Sequence, residues 1–139
     1  MIPARDALSR LRTGNERFVA KIRNQRALSE TRRHEVVAKQ EPFAIILGCS
    51  DSRLPAKIVF DQGLGDLFVI RVAGNIVAPS QVGSVEFCAL SFGDRLVVVT
   101  EHTQCSALRV TPGGLARPAA DQSQNLTVIR RAHKALSLI

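Results

Sequence analysis

The chain has 139 residues, with 19 Lys and Arg against 12 Asp and Glu for a net charge of +7, a length that suits one domain and is short for two. No stretch approaches the roughly 20 apolar residues of a membrane span, and the opening MIPARDALSRLRTGNERF lacks the apolar core of a secretory signal; a cytoplasmic protein with no membrane partner is expected. Three cysteines, an odd number, fit a reducing compartment better than a disulfide framework.

The positive charge invites a nucleic-acid reading, so its distribution decides more than its size. Residues 1–40 carry ten Lys/Arg against four Asp/Glu, residues 106–139 five against one, and residues 41–105 four against seven. The excess is peripheral, as on the solvated faces of amphipathic helices or against an acidic partner surface in an oligomer. Tyr and Trp, the best stacking platforms for single strands, are absent. No nucleic-acid partner is expected.

Residues 3–21 place Ala7, Leu8, Leu11, Phe18 and Val19 among Arg, Asn and Glu, the spacing of an amphipathic helix that Gly14 weakens midway. A second helix is predicted from Ser29 as N-cap through Glu30 to Lys39, ending before Pro42. Together, residues 1–40 read as a basic helical arm. The short apolar run Phe43–Leu47, ended by Gly48, then reads as a central parallel strand. Residues 67–72 and 96–100 repeat that character. Between these two strands, residues 80–92 have helical spacing, with Gly93 as the C-cap.

Strands alternating with a helix in this way imply a parallel sheet with right-handed crossovers. Ligands of such sheets gather beyond the carboxyl ends of the strands. Cys49, Asp51 and Arg53 follow the first strand, and His102 and Cys105 follow the third. Both groups therefore reach one rim if these two strands are neighbours. Zinc takes thiolate and imidazole in tetrahedral geometry, and a catalytic site keeps three protein ligands with one open position; Cys49, His102 and Cys105 could supply those three. Spacing alone leaves open that the cysteines are inert buried thiols and His102 a core histidine. Neither a dinucleotide fingerprint nor a Walker loop is present.

The stretch CSDSRLPAKIVFDQGLGDLFVIRVAGNIV from Cys49, GSVEFC from Gly83, LVVVTEHTQC from Leu96 and, more loosely, GNERFV from Gly14 resemble a β-class carbonic anhydrase over residues 5–107. The resemblance implies a Rossmann-like α/β fold, a parallel sheet flanked by helices with an N-terminal helical arm. It implies one zinc per chain on Cys49, His102 and Cys105, with zinc-bound hydroxide converting carbon dioxide to bicarbonate and a proton. Asp51 would either pair with Arg53 and accept a hydrogen bond from the zinc-bound water, or ligate zinc itself. Gln62 would donate a hydrogen bond to bicarbonate. Ile46 stands where members with a bicarbonate-triggered closed state carry tryptophan, which favours the open type. The family also implies a homodimer or higher homo-oligomer, in which Arg71 could meet an acidic group across an interface. Cys88 reads as a core residue.

The chain departs from the family at two points. Glu101 and Ser106 flank zinc ligands where glycine is usual, so either the ligands shift or Glu101 points to solvent. After Ala107 the likeness fades; residues 112–120 read as a linker and a last basic helix follows, with the family's final strand missing. The expected organisation is a single domain over 1–139, comprising the arm 1–40, a zinc-site core 41–107 and a divergent tail 108–139. The alternative to a carbon dioxide hydratase is a zinc-binding relative with little or no turnover, whose metal mainly ties the strand ends together.

Overall fold

The computed structural model describes residues 2–22, 24 and 29–109. The linker and final helix expected in the tail lie outside the described residues. The order along the chain is α1 (Ala4–Val19), α2 (Glu30–Glu35), β1 (Ala44–Cys49), α3 (Ala56–Val59), β2 (Leu67–Val72), a 3-10 turn (Ala73–Asn75), α4 (Pro79–Phe92) and β3 (Val97–Thr100). The three strands form a parallel sheet in the order β2-β1-β3. The first and third strands are thus neighbours, as the rim argument required.

β1 is buried along its whole length because both faces of this central strand are covered. Ala44 and Ile46 face a cluster with Ala7 and Leu11 of α1, Phe43 and Leu67, extended by Ala56 and Phe60. Ile45 and Leu47 point the other way, into a cluster with Ile70 and Cys88, against which Phe68, Val85 and Phe92 pack. The continuous apolar run of residues 43–47 is the sequence signature of this two-sided burial. The strand runs on to Cys49 because Gly48 and Cys49 remain in register with Arg71 and Val72 of β2. Gly48 also faces Thr100 of β3, where a Cβ would lie 2.6 Å from the Thr100 Oγ1. The missing side chain lets β3 close against the end of β1.

α4 begins with proline at its first position and ends at Gly93, which takes a left-handed φ of 71°, the conformation that favours glycine at a helix terminus. α2 is shorter than the predicted 29–39. Ser29 does cap it, accepting a hydrogen bond from the Arg32 N–H at 3.1 Å. The helix stops at Glu35 because it has no buried residue, and an isolated turn without tertiary burial does not propagate. α1 follows its prediction closely and buries Ala7, Leu11 and Gly14. It is tied to the segment after α3: Asn15 Nδ2 donates to the Val59 carbonyl at 3.0 Å, and Arg17 pairs with Asp61 at 2.6 Å.

Candidate metal centre

The ends of β1 and β3 bring three ligand-type side chains together. Cys49 closes β1, while the turn after β3 carries His102 and Cys105, with Gln104 at a φ of 58° reversing the chain between them. The two sulfurs are 3.9 Å apart, and the candidate ligand atoms of Cys49, His102 and Cys105 all lie within 4.8 Å of one another. Two thiolates bound tetrahedrally at about 2.3 Å from one zinc would be about 3.8 Å apart. The separation therefore fits two ligands of one ion and is far too long for the ~2.05 Å of a disulfide.

The imidazole is set up in the same sense. The Nδ1 of His102 lies 3.0 Å from the Thr103 carbonyl; a carbonyl only accepts, so Nδ1 carries a proton, and in the neutral imidazole Nε2 then presents a lone pair. Nε2 is buried and has no hydrogen-bond partner, an arrangement that costs free energy unless something else satisfies the atom. A carbonyl hydrogen-bonded to the far nitrogen is how metal-binding histidines are commonly oriented. The donor set, the sulfur spacing and the orphaned nitrogen all fit a zinc ion.

Charge around the cluster favours anionic sulfur. Burial works against ionisation of Cys49, but the neighbouring His102, the Gly74 and Asp51 backbone N–H groups and the Cys105 sulfur outweigh it and bring the thiol down to about 7. The Gly74 N–H reaches the Cys49 sulfur at 3.4 Å from a residue with a left-handed φ of 69°, which glycine adopts without strain. The Cys49 sulfur in turn raises the His102 imidazole above its ordinary range, against the opposing effect of burial.

Asp51 is paired with Arg53. The guanidinium donates through Nε to Oδ1 at 2.9 Å and through Nη2 to Oδ2 at 2.8 Å, and the Arg53 backbone N–H adds a third bond at 3.0 Å. These bonds hold the Asp51 carboxyl well below the usual carboxylate range. Oδ2 still lies 3.9 Å from His102 Nε2, so the carboxylate borders the cluster without joining it. Of the two arrangements expected for Asp51, the structure contains the pair with Arg53.

A cavity of ≈ 20 Å³ opens against Cys49 and His102, with Leu54, Ala56, Val59 and Phe60 as its apolar wall. It has room for about one water-sized molecule. Glu101 borders the same cavity but is exposed to solvent, and the three ligand atoms beside it keep their spacing. Gln62, expected to donate to bicarbonate, is engaged elsewhere. Its Nε2 donates to the Phe60 carbonyl at 2.7 Å and its Oε1 accepts from Arg10 Nε at 3.1 Å. The structure thus brings Cys49, Asp51, Arg53, His102 and Cys105 together and leaves Gln62 against α1.

The resemblance offers Arg71 an acidic group across a subunit interface; sequence reasoning did not see that within the chain its guanidinium turns to the carbonyls of Cys49 and Asp51. A charged residue inside an otherwise apolar strand was the available signal.

The family model for carbonic anhydrases matches residues 44–137. The chain belongs to the carbonic anhydrase family. The match runs further into the tail than the motifs on which the resemblance rested. Carbonic anhydrase 2 of Mycobacterium tuberculosis is 39% identical over 121 residues, covering 81% of this chain and 58% of its own length. A carbonic anhydrase of Mycolicibacterium smegmatis is 40% identical over 105 residues, covering 76% of this chain and 51% of its own. The chain therefore spans between half and three-fifths of these curated relatives. Among solved structures, the β-carbonic anhydrase of Coccomyxa in complex with acetazolamide covers 99% of this chain and 58% of its own, at 20% identity and a TM-score of 0.63. One of two tetrameric β-carbonic anhydrases from Sordaria macrospora covers 77% and 57%, at 23% identity and a TM-score of 0.58. The fold is that of the β-class.

Proposed function

We propose that the chain catalyses the reversible hydration of carbon dioxide to bicarbonate and a proton, with one zinc held by Cys49, His102 and Cys105. The observation that carries this reading is the buried, unpartnered His102 Nε2 beside two sulfurs 3.9 Å apart, with the Asp51–Arg53 pair at the edge of the cluster. When bound, zinc supplies the Lewis acidity that brings the ionisation of water toward about pH 7, providing a nucleophile under neutral conditions. The remaining work falls to the protein. The Thr103 carbonyl fixes the tautomer and plane of His102. Asp51, kept anionic and turned aside by Arg53, accepts a hydrogen bond from the attacking water and orients its lone pair toward carbon dioxide. The wall formed by Leu54, Ala56, Val59 and Phe60 suits a small apolar substrate and excludes bulk water.

A homo-oligomer is part of the proposal. α4 leaves Phe87 and Leu90 54% and 86% exposed, an apolar surface of the kind that subunit contacts cover. A second reading, zinc binding with little turnover, draws on Glu101 at the cavity and on Gln62 turned away from it. Zinc stoichiometry and the stopped-flow hydration rate, measured on one preparation, separate the two. One zinc per chain with turnover above buffer supports the enzyme. Zinc-replete protein with no such turnover leaves only the structural metal, and a metal-free protein after purification in zinc overturns both.

A further inference from the structure

We propose that Arg71 is a positioning residue for the candidate metal centre, fixing the backbone that presents both Cys49 and Asp51; the inference rests on the metal reading above. Arg71 lies on β2 opposite Gly48, one residue before the end of β1. Its Nε donates to the Cys49 carbonyl at 3.0 Å and its Nη2 to the Asp51 carbonyl at 2.5 Å. One rigid fork therefore spans the two residues whose side chains carry the first thiol and the carboxylate. A guanidinium can do this because its donors are fixed in a plane, whereas a lysine ammonium is a point donor on a flexible stem.

The end of β2 and the 3-10 turn after it reinforce the same segment. The Ser50 N–H donates to the Val72 carbonyl at 3.2 Å, and the Gly74 N–H reaches the Cys49 sulfur at 3.4 Å. The strand's last carbonyl thus holds Ser50 and the turn's Gly74 holds the thiol, while Arg71 holds the carbonyls on either side. Beyond β1 the chain from Ser50 to Arg53 has left the sheet, so no strand ladder remains to fix the Asp51 carbonyl. Among the described residues Arg71 forms no ion pair, and its side chain is committed to this segment. Cys105 and His102 lie in the turn after β3, and Arg71's hydrogen bonds among the described residues go to the carbonyls of Cys49 and Asp51 instead. Its loss should therefore affect one side of the centre and spare the other.

Arg71→Ala and Arg71→Lys in the full 139-residue chain test this. The metal-free protein is alkylated with iodoacetamide and each cysteine is followed by mass spectrometry; cobalt(II) affinity is measured separately through the thiolate charge-transfer band. Arg71→Ala is expected to alkylate several-fold faster at Cys49 with Cys105 and Cys88 unchanged, and to bind cobalt about 10- to 100-fold more weakly, the range for outer-shell partners of metal ligands. Arg71→Lys should recover part of each effect. Unchanged Cys49 labelling in Arg71→Ala overturns the proposal, as does equal acceleration at all three cysteines, which marks general loosening. Selective exposure of Cys49 in a chain that binds no cobalt even as wild type upholds the positioning role and refutes the metal reading.

Discussion

Arg53 closes a two-pronged clasp on the carboxylate of Asp51, with Nε and Nη2 each bonded to a different oxygen at 2.9 and 2.8 Å. The cluster that Asp51 would otherwise enter is close, since its Oδ2 is 3.9 Å from His102 Nε2. Removing the clasp should free the carboxylate to enter the cluster and fill the position that the reaction needs open. Arg53→Ala is expected to keep its zinc and lose hydration rate on the order of 100-fold, the scale of a positioned acid-base group. Zinc content with stopped-flow kinetics reads both halves; a variant hydrating carbon dioxide at the wild-type rate would contradict the role given to the pair.

Gly14 is the contact point between α1 and the segment after α3. A Cβ at this position would lie 1.8 Å from the Phe60 carbonyl oxygen and 2.7 Å from Gln62 Nε2, and the oxygen belongs to backbone that cannot swing aside. Helix propensity alone would make Gly14→Ala stabilising by up to about 1 kcal/mol. The clash should reverse the sign, costing about 1–3 kcal/mol or more through overpacking. Urea denaturation followed by far-UV circular dichroism decides between them, and a midpoint at or above wild type would show that α1 docks otherwise.

Glu101 places a carboxylate at a cavity that Cys49 and His102 also line. Adding negative charge opposes the approach and build-up of bicarbonate there. Glu101→Gly is expected to raise the hydration rate several-fold and to weaken its dependence on ionic strength, because the added charge is exposed and screened by salt. No increase in rate at low salt would assign the side chain to solvent alone.

The legible parts of the molecule are those where one physical cause dominates. Residues 67–72 were read as a strand and are one, because an apolar run of that length has few other uses. Gly93 marked the end of α4 through its φ, and the strand ends carried Cys49, His102 and Cys105 to one rim because parallel sheets collect ligands there. Misreadings came where tertiary contacts decide. α2 has a good cap in Ser29 but buries nothing, so its end lay outside local rules. α3, four residues between Pro55 and Phe60, is too short to show a period. Gln62 matched a substrate contact through its motif alone, and no local rule could show that its amide meets Arg10, 52 residues away in the chain. Arg71 was visible as an unexpected charge, but only strand register revealed which carbonyls it meets.

Cys88 and Asp94 form a buried pair behind the sheet, the thiol donating to Asp94 Oδ2 at 3.2 Å. Burial, helped by the adjacent carboxylate, pushes the Cys88 thiol up to about 12, so it stays protonated as a donor across the neutral range. Burial likewise raises the Asp94 carboxyl above its ordinary value, only partly offset by the Cys88 hydrogen bond. A carboxyl raised in the folded state stabilises the fold below its unfolded pKa of about 3.9, and that contribution is lost as pH rises through the folded value. Asp94→Asn retains an acceptor for the thiol without the ionisation. Its stability relative to wild type should therefore climb as pH goes from 4 to 7. Denaturant midpoints of the two proteins at both pH values give the comparison, and a constant difference would mean that Asp94 titrates alike in the folded and unfolded chains.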